Sequence, residues 1–190
     1  IYLTTNTGNN TITSNTINTN GTTNNYGIYL TTNTQNNTIT GNTINTNGNA
    51  IANYGIYLLG TDTSLLQGTT TQHNTIHTNG TSDNIGIRLN TNVNQTTIYN
   101  NTIIARGRLF ADNYGIFLQT NTGNNTITSN NINTQGIASN NGIVLASNTQ
   151  NNTITGNTIW TDGSAGGTNY GIYILGTTTT LLRGNTIQHN

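Results

Sequence analysis

Four aspartates, Asp62, Asp83, Asp112 and Asp162, are the only acidic side chains in the sequence. Carboxylates hydrolyse glycosides when two of them stand about 5–9.5 Å apart across the bond to be broken. Each of the four falls in or beside a segment of variable length, one to a repeat unit and at places that do not match, so the register predicts no such pair. Three histidines, His73, His77 and His189, offer imidazole, but two of them flanking one bend read as polar corner residues. Cysteine is absent, which excludes disulfides and thiolate metal sites. The four arginines stand without any lysine at a formal net charge of zero, too little positive charge to neutralise a nucleic-acid backbone. No cofactor, metal or nucleic-acid partner is expected.

Aromatic and hydroxyl side chains are better organised. One recurring position reads Tyr2, Tyr29, Tyr57, Arg88, Phe117, Val144, Tyr173. Such a stripe either stacks as a ladder or offers a seam for lateral association or for stacking on sugars. Threonine pairs flank an isoleucine at Thr11 and Thr13, Thr38 and Thr40, Thr126 and Thr128, and Thr153 and Thr155, interrupted by Gln72 and Tyr99. Glycosylation triplets begin at Asn20 and Asn79, among others that so Asn- and Thr-rich a chain forms by composition.

These positions recur because the chain is a tandem array. Equivalent isoleucines fall at Ile1, Ile28, Ile56, Ile87, Ile116, Ile143 and Ile172, at intervals of 27, 28, 31, 29, 27 and 29 residues. Within a unit, five residues separate Ile12 from Ile17 and Ile39 from Ile44, and four more reach Gly21 and Gly48. Length varies after the first strand, most in 59–68 and 175–184, and after that glycine; these are loops between fixed rungs. Alternation of isoleucine with polar or aromatic neighbours indicates strands, three to a unit, and no stretch has helical spacing. A single rung cannot bury its apolar side. Stacked rungs, hydrogen-bonded about 4.8 Å apart, enclose a thin column of Ile, Leu and Thr, which accounts for an apolar fraction of only 31%. Asn15, Asn42, Asn74, Asn101, Asn130, Asn157 and Asn190 hold one position between the second and third strands, where asparagine tolerates left-handed angles and amides stack from rung to rung.

The segments NNTITSNTI, NNTITGNTI and YNNTIIARG resemble the repeats of right-handed parallel β-helix proteins, a group with NosD-like periplasmic proteins, pectate-lyase-like enzymes and long surface fibres. The resemblance implies the hand of the helix. It also implies calcium-binding carboxylates and a basic residue in one cleft for a lyase, or several imidazoles for copper in a NosD-like protein, and the residues here match neither set. The expected architecture is therefore an all-β, three-sided, right-handed β-solenoid of about seven coils over residues 1–190. A second period is visible in the recurrence of TNTGNNTITSN 115 residues later, from Asn6 to Asn121, which makes a four-coil super-repeat. With no starting Met and no capping sequence at either end, the chain reads as part of a longer array whose coil ends are templates for pairing. No segment is apolar over the length needed to span a membrane.

From near-identical coils with no reactive constellation, the expected function is non-enzymatic: a structural component of an extracellular or cell-surface filament, sheath or adhesin stalk. It would associate with itself through coil ends or the aromatic stripe. Two alternatives are a carbohydrate-binding or carbohydrate-active β-helix meeting surface glycans, and an ice-binding threonine-rich solenoid.

Overall fold

The computed structural model describes residues 1–49, 52–108, 112–164, 167–176 and 182–190. Its strands form three parallel sheets along one axis, and neighbours in each sheet come from successive rungs. The first sheet runs Tyr2–Thr4, Asn25–Thr31, Ala52–Leu59, Asp83–Asn90, Asn113–Gln119, Asn140–Ala146 and Asn169–Leu175. The second consists of short strands, among them Thr11–Thr13, Thr38–Thr40, Thr70–Gln72 and Thr153–Thr155. The third includes Thr16–Asn20, Thr43–Gly48, Thr75–Gly80, Thr102–Gly107, Asn131–Gly136 and Thr158–Gly163. Six rungs carry all three strands; the seventh contributes Asn169–Leu175 and Thr186–Gln188, so the seven expected coils are six complete turns and part of another. The register matches equivalent residues without a slip, as in Ile28↔Ile56 and Ile44↔Ile76.

Each rung sends the same few side chains inward. In the second rung Ile28, Leu30, Ile39 and Ile44 have no exposed surface, and their counterparts in the next three rungs are as deeply buried; in the sixth only Ile159 is partly exposed. Burying one such chain contributes roughly 1.5–3 kcal/mol. Thr71 takes an isoleucine's place in the third rung, and its hydroxyl is satisfied there by the Nδ2 of Asn74 at 3.2 Å.

The first strand departs from simple alternation. Gly27 and Ile28 are both buried, while Tyr26 and Tyr29 on either side lie at the surface. Gly27 is left out of the regular pairing although its neighbours match Tyr54 and Ile56. Glycine is required by closeness here: a Cβ on Gly55 would lie 2.2 Å from Ile76 Cγ2 and 2.6 Å from the Gly86 carbonyl, with the same contacts at Gly86, Gly115 and Gly142.

The corner residues with left-handed backbone angles are not the ladder asparagines expected to hold them. They are the residues just before: Ser14, Gly41, His73, Asn100, Ser129, Gly156 and His189. The ladder asparagine has re-entered the strand direction and aims its amide along the axis. His73 and His189 are therefore corner residues. Of the two longest loops, 59–68 includes a short strand, Leu66–Gln67, paired with Val93–Asn94, and Leu66 is fully buried. The loop 175–184 lies partly outside the described residues.

Candidate functional site

Between the second and third sheets the asparagines hydrogen-bond from rung to rung. Asn15 Nδ2 donates to Asn42 Oδ1 at 3.0 Å, and the same bond links Asn42 to Asn74, Asn101, Asn130, Asn157 and Asn190 in turn. Each Oδ1 also accepts the backbone N–H of the preceding ladder residue, as Asn74 Oδ1 does from Asn42 at 2.9 Å. The second Nδ2 proton reaches a backbone carbonyl one rung back, as Asn74 does to Ile39 at 3.0 Å. Buried amides with every group paired are stabilising, and a half-paired one is costly. Two further ladders escaped the sequence reading. One runs through Asn25, Asn53, Asn84, Asn113, Asn140 and Asn169. The other joins Asn10 to Asn37 and, further on, Asn125 to Asn152 and Asn185, with Thr69 and Thr96 between. The repeated N-Y-G-I and N-N-T-I segments were the available signals.

On the first sheet the stripe is a double column. Tyr2, Tyr29 and Tyr57 stack with centroids 5.1 Å apart, and Tyr26 and Tyr54 form a second file against them at 4.8 and 4.9 Å. Interplanar angles of 8–23° show that the ring faces lie against one another; Tyr54 and Tyr57 are buried in the column, and the Tyr57 hydroxyl accepts from Asn90 Nδ2 at 3.0 Å. Tyr114 stacks on Phe117, and Tyr170 on Tyr173. Arg88 continues the column: its guanidinium carbon lies 5.4 Å from the centroids of both Tyr57 and Phe117, while Nη1 donates to Tyr54 Oη at 3.0 Å and Nη2 to Gln119 Oε1 at 2.7 Å. A flat, delocalised cation fits between rings where an ammonium would not.

Beside this column the structure brings two carboxylates together, against expectation. The Asp112 backbone N–H donates to Asp83 Oδ1 at 3.3 Å, and Tyr114 donates its hydroxyl proton to Asp112 Oδ2 at 3.0 Å. Both residues open the pattern D-N-x-G-I, so they are equivalent after all, four residues before Ile87 and Ile116. Burial pushes the Asp83 carboxyl above its ordinary 3.8, with repulsion from Asp112 adding to the effect and the Asp112 N–H opposing it. Burial likewise raises the phenols of Tyr29, Tyr54 and Tyr114.

The third sheet carries its own polar groove, about 570 Å³, lined by Asn79, Arg106, Arg108, Gln135, Asp162 and Ser164 among others. Arg106 Nε donates to Gln135 Oε1 at 3.0 Å. Asn20 lies exposed at the end of its strand, and Asn79 is half-buried in the same column. His77 stands one residue column away from Asn79 on this face, apart from His73 at the corner. On the second sheet one threonine file is unbroken through Thr11, Thr38, Thr70, Thr97, Thr126, Thr153 and Thr186; Gln72 and Tyr99 interrupt only its neighbour.

A parallel, three-sided winding of repeated rungs in register defines the class as a β-helix. The family model for the right handed beta helix region matches residues 53–187, and the chain belongs to that family. No curated protein and no solved structure matches the chain.

Proposed function

We propose that the chain is a structural segment of an extracellular or cell-surface filament, sheath or adhesin stalk, non-catalytic and built to associate with copies of itself. One observation carries this reading: the amide ladder from Asn15 to Asn190 passes through every rung with the same bonds, so the rungs are mechanically interchangeable. Interchangeable rungs suit a rod whose length, rather than one specialised coil, serves its purpose. The aromatic double column stiffens the first sheet, and its more exposed rings, Tyr2 and Tyr170 above all, supply a lateral seam toward a neighbouring rod. Near-zero charge removes repulsion between such rods. Electron microscopy of the native material tests this: continuous thin fibres are expected, and discrete particles would overturn it.

A second reading, a carbohydrate-active β-helix, draws on the Asp83 and Asp112 carboxylates standing beside Arg88 and Tyr114. It requires hydrolysis of a polysaccharide that is lost in Asp83→Asn and in Asp112→Asn. Intact polysaccharide after incubation with the unaltered protein would remove it.

A further inference from the structure

The outward side of the third sheet carries two neighbouring columns of side chains. In the first two rungs both hold asparagine, Asn18 and Asn20, then Asn45 and Asn47. From the fourth rung to the sixth the columns change character. One runs Ile104, Asn133, Trp160 and the other Arg106, Gln135, Asp162. Strand alternation turns these six outward, with Ala105 and Thr134 buried between them. Arg106 and Asp162 stand two rungs apart, roughly 10 Å at the spacing of paired strands, so they do not pair within one chain. Arg106 Nε donates to Gln135 Oε1 at 3.0 Å, and the Asp162 carboxylate has no hydrogen bond or ion pair among the described residues.

The patch is complementary to itself when inverted about the fifth rung. An apolar group ends the first column on either side, a cation and an anion end the second, and amides stand in the middle of both.

We propose that this patch pairs with the same patch of a second copy of the chain, the two rods running antiparallel about a two-fold axis along the fifth-rung strand, Asn131–Gly136. Rotation about that axis reverses the order of rungs and leaves each column facing itself. Arg106 then meets the copy's Asp162 and Asp162 the copy's Arg106, as an isologous contact requires, while Ile104 meets the copy's Trp160. Asn133 and Gln135 face their own counterparts, and an amide donates and accepts, so each satisfies its equal. A two-fold axis along the rod instead sets Ile104 against the copy's Arg106 and Trp160 against its Asp162, which desolvates a charge without pairing it. Three rungs of six residues offer roughly 300 Å² a side, against about 800 Å² for a stable pair, so isolated chains associate weakly and reversibly. The proposal rests on the self-association of the filament reading and gives it a face and a direction, apart from the tyrosine seam on the first sheet.

The test is sedimentation equilibrium of the full chain at low ionic strength, from micromolar to millimolar concentration. The unaltered protein is expected to form a reversible dimer. Arg106→Asp and Asp162→Arg should each lower the association constant at least about tenfold, because each sets like charges against one another twice. An equimolar mixture of the two variants should recover the association, since every acidic position then meets a basic one. An unaltered chain that stays monomeric, or a mixture no tighter than either variant alone, would overturn the proposal. Direction is read from spin labels on the second sheet, away from the patch. Between copies, labels on Thr128→Cys in the axial rung should lie closer than labels on Thr40→Cys three rungs away, whose separation along the rod is roughly 29 Å; equal distances would mean parallel rods and overturn it. Fibres that keep their lateral packing in Arg106→Asp would remove this seam and leave the filament reading, whereas discrete antiparallel pairs in place of fibres would remove the filament and leave the seam.

Discussion

Asn74 concentrates what a single residue does in this fold. Its Oδ1 accepts both the backbone and side-chain N–H of Asn42, and its Nδ2 serves Ile39, Thr71 and Asn101. Replacing it with alanine removes all of these bonds and leaves the Asn42 backbone N–H without an acceptor in a dry place, at about 1–3 kcal/mol for an orphaned group. Asn74→Ala should therefore lose at least about 2 kcal/mol in denaturant unfolding, more than any alanine substitution of an outward threonine such as Thr97. Asp83 acts through protonation. Its folded carboxyl binds the proton more tightly than the unfolded one, so folding is favoured most below pH 3.8 and loses that contribution as pH rises through the higher native value. Asp83→Asn keeps the acceptor for Asp112 N–H and should raise stability at pH 7 while leaving it level with the unaltered protein near pH 3; equal curves at both pH values would refute this. The ladder position was legible because Asn15 and its six equivalents share one place in every unit. The Asp83–Asp112 pair was hidden because loop residues are hard to place until Asn84 and Asn113 are known to be ladder members.

At the scale of the strand, the Gly-Ile pair matters most. Period-two alternation turned Ile28 and Leu30 inward and Tyr29 outward; carried back along the strand it would turn Tyr26 inward, where the structure has it beside Tyr29. Two successive inward residues, Gly27 and Ile28, shift the phase, so tyrosines three apart share one face and the single stripe becomes two files. The cause is tertiary: the first sheet approaches the third so closely that only a residue without a side chain fits, a constraint that the alternation of one strand does not carry. Gly55→Ala drives a methyl into Ile76 and the Gly86 backbone. Overpacking of this kind costs about 1–3 kcal/mol, and the melting temperature should fall accordingly. The harmless counterpart is Gly156→Ala, whose surroundings are open and whose penalty is confined to its left-handed angle, φ +63°.

For the molecule as a whole, sequence period and axial distance are proportional, since each 27–31 residues advance the chain by one strand spacing. That relation was readable from the isoleucine intervals alone, whereas the side-chain groups that two rungs assemble between them, such as Arg88 between Tyr57 and Phe117, needed the register in three dimensions. The proportionality is testable directly by electron–electron dipolar spectroscopy, because a chain without cysteine takes spin labels only where cysteine is introduced. Labels at Thr13→Cys and Thr128→Cys stand four rungs apart, and at Thr13→Cys and Thr155→Cys five. The account predicts narrow distributions near roughly 19 and 24 Å, with Thr40→Cys and Thr155→Cys reproducing the shorter one. Broad distributions, or distances that fail to grow by about one strand spacing per rung, would contradict the stacked winding on which everything else rests.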